Sequence, residues 1–495
     1  MIPVSARLKC LALMHPDVLF VLIMSLFQTS NRINATDTPV IAFTRKAMSL
    51  HPDPVSLAQG VVHWSPPPEA LSAVVEAASD PTASQYGPNE GLPHLREALR
   101  KKVAEKNGLE GYEICVTHGG NQAFVNLVLS LVDEGDEVVL FRPAYFDHIM
   151  TVQMTGGSRN IVYGECDPLT FKPSATWLRK TLLEDPVAIS DSAEALLQTE
   201  PGTDPLLGCS GSIRGRVKMV AIVNPSNPTG VLLSKQELLE ISDICKKANC
   251  WLVCDNTYEH FCNFTSLSSL AAIAYVSTTA STAAENDPAP SIQTAPNDYQ
   301  AAVEAESQGH YCVSGEHVVH VFSFSKAFGM MGWRVGYIAY PDPDGRGGAL
   351  GGNLLKTQDT ICICACQVSQ HAALGALTGD GSFVRDRVAG LEENRQLIAD
   401  ALMSTLGPEN VFGGYAIFFW AKLPAGCEDD VLAVQWLVKN FGICVVPGSS
   451  CACPGFIRVS FANVKGDVMH KAAGRLKQGL SHMAAFGISS SALLT

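Results

Sequence analysis

The chain has 495 residues, of which 47% are hydrophobic and 17% charged, and its formal net charge is -13. This composition excludes a mainly disordered protein. The length predicts two closely joined domains or one very large α/β domain. The negative charge, without a strongly basic block, argues against a surface that follows nucleic-acid phosphates.

Residues 1–38 are expected to form an N-terminal extension that is not part of the folded domains. It contains a ten-residue apolar run, Val18 to Phe27, preceded by Arg7 and Lys9, as in a signal peptide. Gln28 to Ser30 is a poor cleavage site, however, and the run is too short to span a membrane as a helix. We therefore expect a cytoplasmic protein with no stable membrane span.

Further along the chain, short apolar runs alternate with helical patterns. The runs are Asp136 to Leu140, Val217 to Val223, Trp251 to Cys254 and Val318 to Phe322. Such runs are typical of strands buried on both faces, and the alternation predicts an α/β fold with a mainly parallel sheet between helices. One intervening helix is predicted from Ser234 to Lys247, with Ser234 as its N-cap and Glu237 completing a capping box.

Two stretches interrupt this pattern. Residues 185–216 are rich in Ser, Gly, Asp and Glu, and residues 277–315 are rich in Ala, Ser, Thr and Pro. Both compositions are typical of surface insertions or disordered loops. We expect neither stretch to contain catalytic residues.

The chain contains 16 cysteines, several of them within apolar segments such as Cys362, Cys364 and Cys366. The pattern favours buried free thiols in a reducing compartment. A metal site is disfavoured because these three cysteines lack the paired spacing with histidine partners that zinc sites show.

The residues that follow the strand at 318–322 indicate chemistry. Lys326 lies in the run from Ser323 to Arg334, Ser-Phe-Ser-Lys-Ala-Phe-Gly-Met-Met-Gly-Trp-Arg. Alone it is compatible with a solvated loop residue. The hydroxyls of Ser323 and Ser325 and the guanidinium of Arg334 suit a phosphate, and a lysine beside a phosphate suits Schiff-base formation.

Two further motifs follow neighbouring strands. Asp255 ends the run at 251–254 and is either a helix N-cap or the partner of a protonated pyridine nitrogen. Tyr258, three residues later, is within reach of the hydroxyl of such a ring. The segment Asn224 to Gly230, Asn-Pro-Ser-Asn-Pro-Thr-Gly, is a sharp turn that presents the Asn227 amide to the ring oxygen, unless it is a plain turn.

A fourth motif precedes them in the chain. Gly119, Gly120 and Asn121 open a helix-like run that ends at Leu131. Backbone N–H groups at the start of a helix bind anions, so these three residues are candidates for a phosphate cup. Gly-Gly turns are common, and the motif is weak by itself.

Taken in order, the four motifs resemble those of the class I/II aminotransferases, which are fold-type I pyridoxal-phosphate (PLP) enzymes. The resemblance runs from about Thr38 to Leu480. Three further segments, Gln59 to Pro67, Phe322 to Pro341 and Val446 to Pro454, are similar to the plant-type aromatic aminotransferases, which act on aromatic amino acids and methionine.

The resemblance implies a role for each matching residue. Lys326 would hold PLP as an aldimine and move the substrate proton, and Tyr145 would stack on the ring. Tyr86 would reach the phosphate of the neighbouring subunit, which implies a homodimer with shared active sites. The implied cofactor-binding residues are Gly119, Gly120, Asn121, Tyr145, Asn227, Asp255, Tyr258, Ser323, Ser325, Arg334 and Tyr86. The implied substrate-binding residues are Gly60, Asn227 and Arg458, the last of which would bind the substrate α-carboxylate.

The resemblance also implies the domain division and the reaction. Residues 81–351 would form the large PLP-binding domain, and residues 39–80 and 352–485 a smaller α+β domain. The predicted reaction moves the α-amino group of an aromatic amino acid or methionine to a 2-oxo acid. The residues expected to line the side-chain pocket are Val61, His63, Trp64 and Tyr145.

Three other functions are compatible with part of this pattern. The same cofactor contacts serve a C–S lyase or an aminocyclopropane-carboxylate-forming enzyme. A transcriptional regulator that carries this domain after a DNA-binding helix-turn-helix would need a basic N-terminal domain. The segment that precedes the region of resemblance is short and apolar, which disfavours this alternative. A cofactor-free paralogue is disfavoured because every matched position is intact.

Overall fold

The computed structural model describes residues 29–156, 160–184, 217–264, 309–342 and 348–488. The apolar run from Val18 to Phe27 and the predicted insertion at 185–216 lie outside the described residues. Of the predicted insertion at 277–315, the structure describes only residues 309–315.

The strands and helices alternate through the first two thirds of the described chain. The strands are β1 (Val55–Ser56), β2 (Tyr112–Thr117), β3 (Glu137–Phe141), β4 (Ile161–Gly164), β5 (Val217–Val223), β6 (Trp251–Asp255), β7 (Val318–Ser323), β8 (Gly336–Pro341), β9 (Val411–Gly413), β10 (Phe418–Lys422), β11 (Ile443–Cys444), β12 (Val446–Pro447) and β13 (Phe456–Ser460). The α-helices are α1 (Asn31–Asn34), α2 (Val40–Met48), α3 (Pro68–Ser79), α4 (Pro93–Asn107), α5 (Gly119–Leu131), α6 (Phe146–Gly156), α7 (Ala175–Arg179), α8 (Lys235–Lys247), α9 (Gly348–Cys362), α10 (Gln367–Leu377), α11 (Ser382–Ala389), α12 (Glu392–Leu406), α13 (Asp430–Phe441) and α14 (Asp467–Phe486).

The largest sheet has seven strands in the order β2-β8-β7-β6-β5-β3-β4. Strand β8 runs antiparallel to both of its neighbours, and the remaining pairs are parallel. The α/β fold with a mainly parallel sheet is therefore confirmed. Hydrophobic clusters cover both faces of the sheet, which explains why its strands are nearly continuous apolar runs.

The predicted elements nearest the polar motifs agree with the structure to within one residue at each end. Strand β5 spans the predicted residues, whereas β3 begins one residue late because the Asp136 carboxylate accepts the Asp133 amide in the preceding turn, at 3.0 Å. Helix α8 has the predicted capping box. Ser234 N donates to Glu237 Oε2 at 2.7 Å, and Glu237 N donates to Ser234 Oγ at 3.3 Å.

A second sheet, β12-β13-β10-β9, is antiparallel and packs in a separate large hydrophobic cluster with α12 and α14. The segment that follows β1 joins it, because Ser460 N donates to Leu57 O at 2.8 Å. Helices α3 and α10 pack together on the large sheet instead, where Ala70 and Ala372 share a core with Phe322.

The cysteines of the described residues are free thiols. Burial was expected for Cys362, Cys364 and Cys366, and this expectation is wrong: Cys366 is exposed and the other two are partly exposed, because α9 ends at Cys362 and the chain turns at the surface. Among the described residues, no group of His, Cys, Asp and Glu side chains is placed to hold a metal ion. None of the helices in these residues is long and apolar enough to cross a bilayer.

Candidate active site

The carboxyl ends of the adjacent parallel strands β5, β6 and β7 meet at one edge of the large sheet. Asp255 is the last residue of β6, Ser323 is the last residue of β7, and Asn224 directly follows β5. Ligands of open α/β sheets bind beyond this edge. The sheet topology therefore brings the separately predicted motifs to one place.

Lys326 lies in the turn after β7, and its Nζ donates a hydrogen bond to Gly60 O. The next residue, Ala327, is held in place because its carbonyl accepts the Trp64 indole N–H at 3.1 Å. Burial, followed by the charges of Arg458 and Arg334, lowers the pKa of Lys326 to about 8. An amine with this pKa is neutral in a useful fraction near physiological pH and acts as a nucleophile.

Asp255 is buried, with 6% of its surface exposed, and holds two donors. His148 Nε2 lies 3.3 Å from Asp255 Oδ2, and Thr257 N donates to Oδ1 at 2.9 Å. Burial is the largest influence on the pKa of Asp255 and raises it, but the contacts with His148 and Thr257 outweigh burial and leave the pKa below its usual value. The carboxylate therefore stays charged and suits a cationic ring nitrogen.

His148 was not predicted from the sequence. It lies in the first turn of α6, three residues after Tyr145, and its ring stacks on Phe124 of α5 at 3.7 Å between centroids. Its partner Asp255 is more than 100 residues away in the sequence. Only the fold brings the two residues together, so no local sequence pattern identifies the His148–Asp255 pair.

Arg458 is buried in β13, with 2% of its surface exposed. Its Nη1 donates to Asn227 Oδ1 at 2.6 Å and its Nη2 donates to Ala58 O at 2.7 Å, while the guanidinium lies 4.3 Å above the Phe418 ring. In the described part of the chain no carboxylate lies within 4 Å of it, and its buried Nε has no hydrogen-bond partner there. A buried cation without a counter-charge favours an anionic ligand.

The predicted phosphate cup begins helix α5. Gly119 has φ +82°, and a Cβ at this position would overlap the guanidinium of Arg334. At Gly120 a Cβ would lie 3.3 Å from Thr257 Oγ1 and 3.9 Å from Ser323 Cβ. Glycine is thus required at residue 119, and space for a side chain is small at residue 120. The backbone N–H groups that open a helix lack partners within the helix and can bind an anion.

The walls of the cup come from β7 and the turn before β8. Arg334, whose own φ is +52°, donates from Nη2 to His118 O at 3.3 Å and from Nη1 to Met331 O at 2.8 Å. Ser325 N donates to Ser323 Oγ at 3.1 Å. The Arg334 guanidinium and the Ser323 side chain therefore lie beside the start of α5.

Tyr145 and Asn121 are joined by a second residue that the sequence reasoning missed. Asp147 Oδ2 accepts the Tyr145 hydroxyl at 2.6 Å and the Asn121 side-chain amide at 2.9 Å. Asp147 is only two residues from Tyr145, so the polar pattern Tyr-Phe-Asp-His at the start of α6 was a signal that could have identified it. Its carboxylate sets the orientation of both predicted ligands.

Tyr258 is buried beside Gly60. A Cβ at Gly60 would lie 3.2 Å from the Tyr258 hydroxyl and 3.2 Å from the Phe418 ring, so the backbone passes closely over both. Burial raises the pKa of Tyr258, which therefore keeps its proton and serves as a hydrogen-bond donor.

Comparison with known proteins assigns this architecture. The family model described as "Aminotransferase class I and II" matches residues 52–476. The chain belongs to the class I and II aminotransferase family. "Aromatic aminotransferase ISS1" of Arabidopsis thaliana is 40% identical over 460 residues, which cover 93% of this chain and 98% of that protein. An aspartate aminotransferase of Thermotoga maritima is 25% identical over 384 residues, which cover 76% of this chain and 79% of that protein.

Solved structures show the same fold. A single mutant of Thermus thermophilus aspartate aminotransferase superposes with a TM-score of 0.69 at 24% identity, covering 92% of this chain and 100% of that one. An aromatic aminotransferase from Pyrococcus horikoshii OT3 gives a TM-score of 0.65 at 24% identity, covering 89% and 99%. Membership of this family implies PLP as the cofactor and an amino acid and a 2-oxo acid as substrates.

Three other predicted residues, Tyr86, His63 and Trp64, have different surroundings. Tyr86 is 81% exposed in the single chain. Trp64 is buried and stacks on Phe261, and His63 Nδ1 lies 3.2 Å from Ala462 O, so both rings are engaged by protein. Burial lowers the pKa of His63, which favours its neutral form.

Proposed function

We propose that this chain is a PLP-dependent aminotransferase that transfers the α-amino group of an aromatic amino acid or methionine to a 2-oxo acid. The observation that carries this proposal is the buried Arg458, which has no counter-charge in the described chain, close enough to the amine of Lys326 to lower its pKa. A site with one unsatisfied buried cation and one activated amine suits an α-amino acid.

The residues at the sheet edge fit PLP. Asp255 would hold its pyridine nitrogen, Asn227 and Tyr258 its ring oxygen, and Tyr145 would cover one face of the ring. The proposed phosphate ligands are Gly119, Gly120, Asn121, Ser323, Ser325, Arg334 and, across a homodimer interface, the partner subunit's Tyr86. When bound, PLP withdraws electrons from the substrate Cα.

Lys326 supplies the base. Its Nζ lies at hydrogen-bond distance from Gly60 O, and its lowered pKa lets it take and hold the proton of the substrate Cα. The Gly60 carbonyl holds the amine when it is protonated. Gly60 thus has two roles. Its carbonyl accepts a hydrogen bond from Lys326, and its lack of a side chain lets the backbone pass close to Tyr258 and Phe418.

Arg458 orients the substrate. The planar guanidinium would bind the α-carboxylate through two parallel hydrogen bonds. Asn227 and the Ala58 carbonyl hold the guanidinium in position before the substrate arrives, at 2.6 and 2.7 Å. This prior orientation lowers the entropic cost of placing the substrate Cα beside Lys326.

The character of the site supports a neutral substrate side chain. Arg458 is flanked by the rings of Phe418 and Phe146, at 4.3 and 5.6 Å. The other fully buried arginine of the described residues, Arg395, binds Glu392 at 3.0 Å and the Gly414 carbonyl. Among the described residues we therefore place no second buried arginine for a distal carboxylate. The 40% identity with the Arabidopsis aromatic aminotransferase supports an aromatic substrate.

We also propose two domains and a homodimer. The large PLP-binding domain would contain residues 81–351, and the small domain would contain the second sheet and the segment around β1. The predicted bounds of the small domain, 39–80 and 352–485, also include helices α3 and α10, and we reassign these two helices to the large domain because they pack on the large sheet. The exposed Tyr86 is consistent with an active site that two subunits share.

A panel of donors and acceptors tests the function. The PLP-loaded protein is mixed with phenylalanine, tyrosine, tryptophan, methionine, aspartate or glutamate, and the cofactor spectrum is followed. We expect the aromatic donors and methionine to exceed aspartate at least about tenfold in kcat/KM. Release of pyruvate and ammonia from cystathionine without a 2-oxo acid would instead establish a C–S lyase.

A further inference from the structure

We propose that Gln122 and Gln358 are positioning residues for the phosphate-binding turn, which comprises residues 119–121. The proposal rests on the function proposed above and adds to it two residues that do not contact the cofactor. Together they form an amide network that runs from the interior of the protein to His118, the residue that precedes the turn.

Gln122 holds the backbone that precedes the turn. Its Oε1 accepts the His118 amide N–H at 2.6 Å and lies 3.3 Å from His118 Nδ1. The other peptide group of His118 is held as well, because Arg334 Nη2 donates to His118 O at 3.3 Å. The peptide groups on either side of His118 are thus held by side chains just before Gly119.

Gln358 anchors Gln122 to the core. It is fully buried in α9, where its Oε1 accepts Gln122 Nε2 at 3.3 Å and Asn126 Nδ2 at 2.7 Å. Its own Nε2 donates to Val116 O in β2 at 3.1 Å. Gln122 Nε2 also lies 3.0 Å from Cys362 Sγ. One buried amide therefore ties α9, α5 and β2 together behind the cup.

This arrangement matters because backbone N–H groups bind a phosphate only in a fixed direction. Gly119 has a positive φ and no side chain, and its conformation is therefore weakly restricted by its own chemistry. The hydrogen bonds that Gln122 and Arg334 make with the backbone of His118 restrict the conformation of Gly119 instead. Removing them should disorient the N–H groups and weaken the hold on a phosphate, while the sites for the pyridine ring and the amine stay intact.

The test compares PLP with pyridoxal, which has the same ring and aldehyde but no phosphate. Both are titrated into the full-length protein after removal of bound cofactor, and binding is followed by absorbance. The variants are Gln358→Met and Gln122→Met. The matched control is Gln370→Met, since Gln370 is also fully buried and bonds two backbone groups, Leu92 N and Ala365 O, away from the cup.

We expect both test variants to raise the dissociation constant of PLP about tenfold, the size of effect that loss of one or two hydrogen bonds produces, with the pyridoxal constant changed less than about twofold. Gln370→Met should leave both constants unchanged. An equal loss of PLP and pyridoxal affinity, an unchanged PLP affinity in both variants, or the same loss in Gln370→Met would overturn the inference. If Gln358→Met fails to fold, Gln122→Met decides, since Gln122 is only partly buried. Failure of the wild-type protein to bind PLP would instead reject the proposed function.

Discussion

Replacement of Arg458 by methionine removes the substrate-binding charge and keeps a side chain of similar length. In the structure the two terminal nitrogens are held by Asn227 and Ala58 O, and no carboxylate of the described chain neutralises the guanidinium. A carboxylate bound there would accept two charge-assisted hydrogen bonds. At about 1.5–3 kcal/mol each, they contribute roughly 3–6 kcal/mol.

That free energy corresponds to a decrease in kcat/KM of about 10²- to 10⁴-fold for phenylalanine, since 1.36 kcal/mol is a factor of ten. The assay is the single-turnover change of the cofactor spectrum over a range of phenylalanine concentrations. L-Phenylalaninamide lacks the carboxylate and serves as the matched substrate. Wild-type protein and Arg458→Met should react with it at similar rates.

Arg395→Met is the matched protein control, because Arg395 is equally buried but binds Glu392 and the Gly414 carbonyl. Because Glu392 is 40% exposed, loss of this ion pair and of the bond to Gly414 O should lower the free energy of unfolding by about 1–3 kcal/mol and leave kcat/KM within about threefold. If Arg458→Met keeps kcat/KM for phenylalanine within about fivefold of wild type, the assignment of the carboxylate site is refuted.

Three other predictions follow from the same geometry. His148→Phe keeps the stack on Phe124 but removes the largest contact that offsets the burial of Asp255, so the pKa of Asp255 should rise. The acid limb of the plot of kcat against pH should then move to higher pH, and an unmoved limb would contradict this role of His148. Because the pKa of Lys326 is lowered to about 8, the rate at which cofactor-free protein captures PLP should rise as pH increases through about 8 and then level off; a rate that is flat from pH 7 to 9 would contradict it. Tyr86→Ala and Lys326→Ala subunits, mixed and reassociated, should form one complete site per dimer and recover part of the wild-type activity, whereas no recovery would argue against a shared site.

The sequence predicted the residues whose chemistry is local. Asp255 and Ser323 end apolar runs, and such runs show where strands end and where polar groups must gather. Ser234 and Glu237 carry a capping box within four residues, which is why helix α8 was predicted at its observed start. The family resemblance then supplied Arg458, which nothing in its own surroundings identifies.

Residues that act across the fold gave no such signal. His148, Gln122 and Gln358 each depend on partners from other elements, and a lone histidine or glutamine on a helix is ordinarily a surface or core residue. The antiparallel strand β8 and its position between β2 and β7 were also beyond a reading of apolar runs, because strand order is decided by packing across the whole sheet.

The partial exposure of Cys362 and Cys364 shows that an apolar sequence pattern can also predict burial where the side chains remain partly exposed. Alternation of Ile and Cys in this segment predicts burial, but the chain turns at the end of α9, Ile363 adopts φ +64°, and Ile361 and Ile363 remain 45% and 38% exposed. Hydrophobic composition alone does not show where a helix leaves the core.

The central claim is that Lys326 is the amine that binds the cofactor. It is tested most directly by adding PLP, reducing the complex with borohydride, digesting the protein and locating the phosphopyridoxyl group by mass spectrometry. We predict one labelled peptide, carrying the group on Lys326, and no label in Lys326→Ala. A label on another lysine of the wild-type protein, or stoichiometric label in Lys326→Ala, would contradict the account.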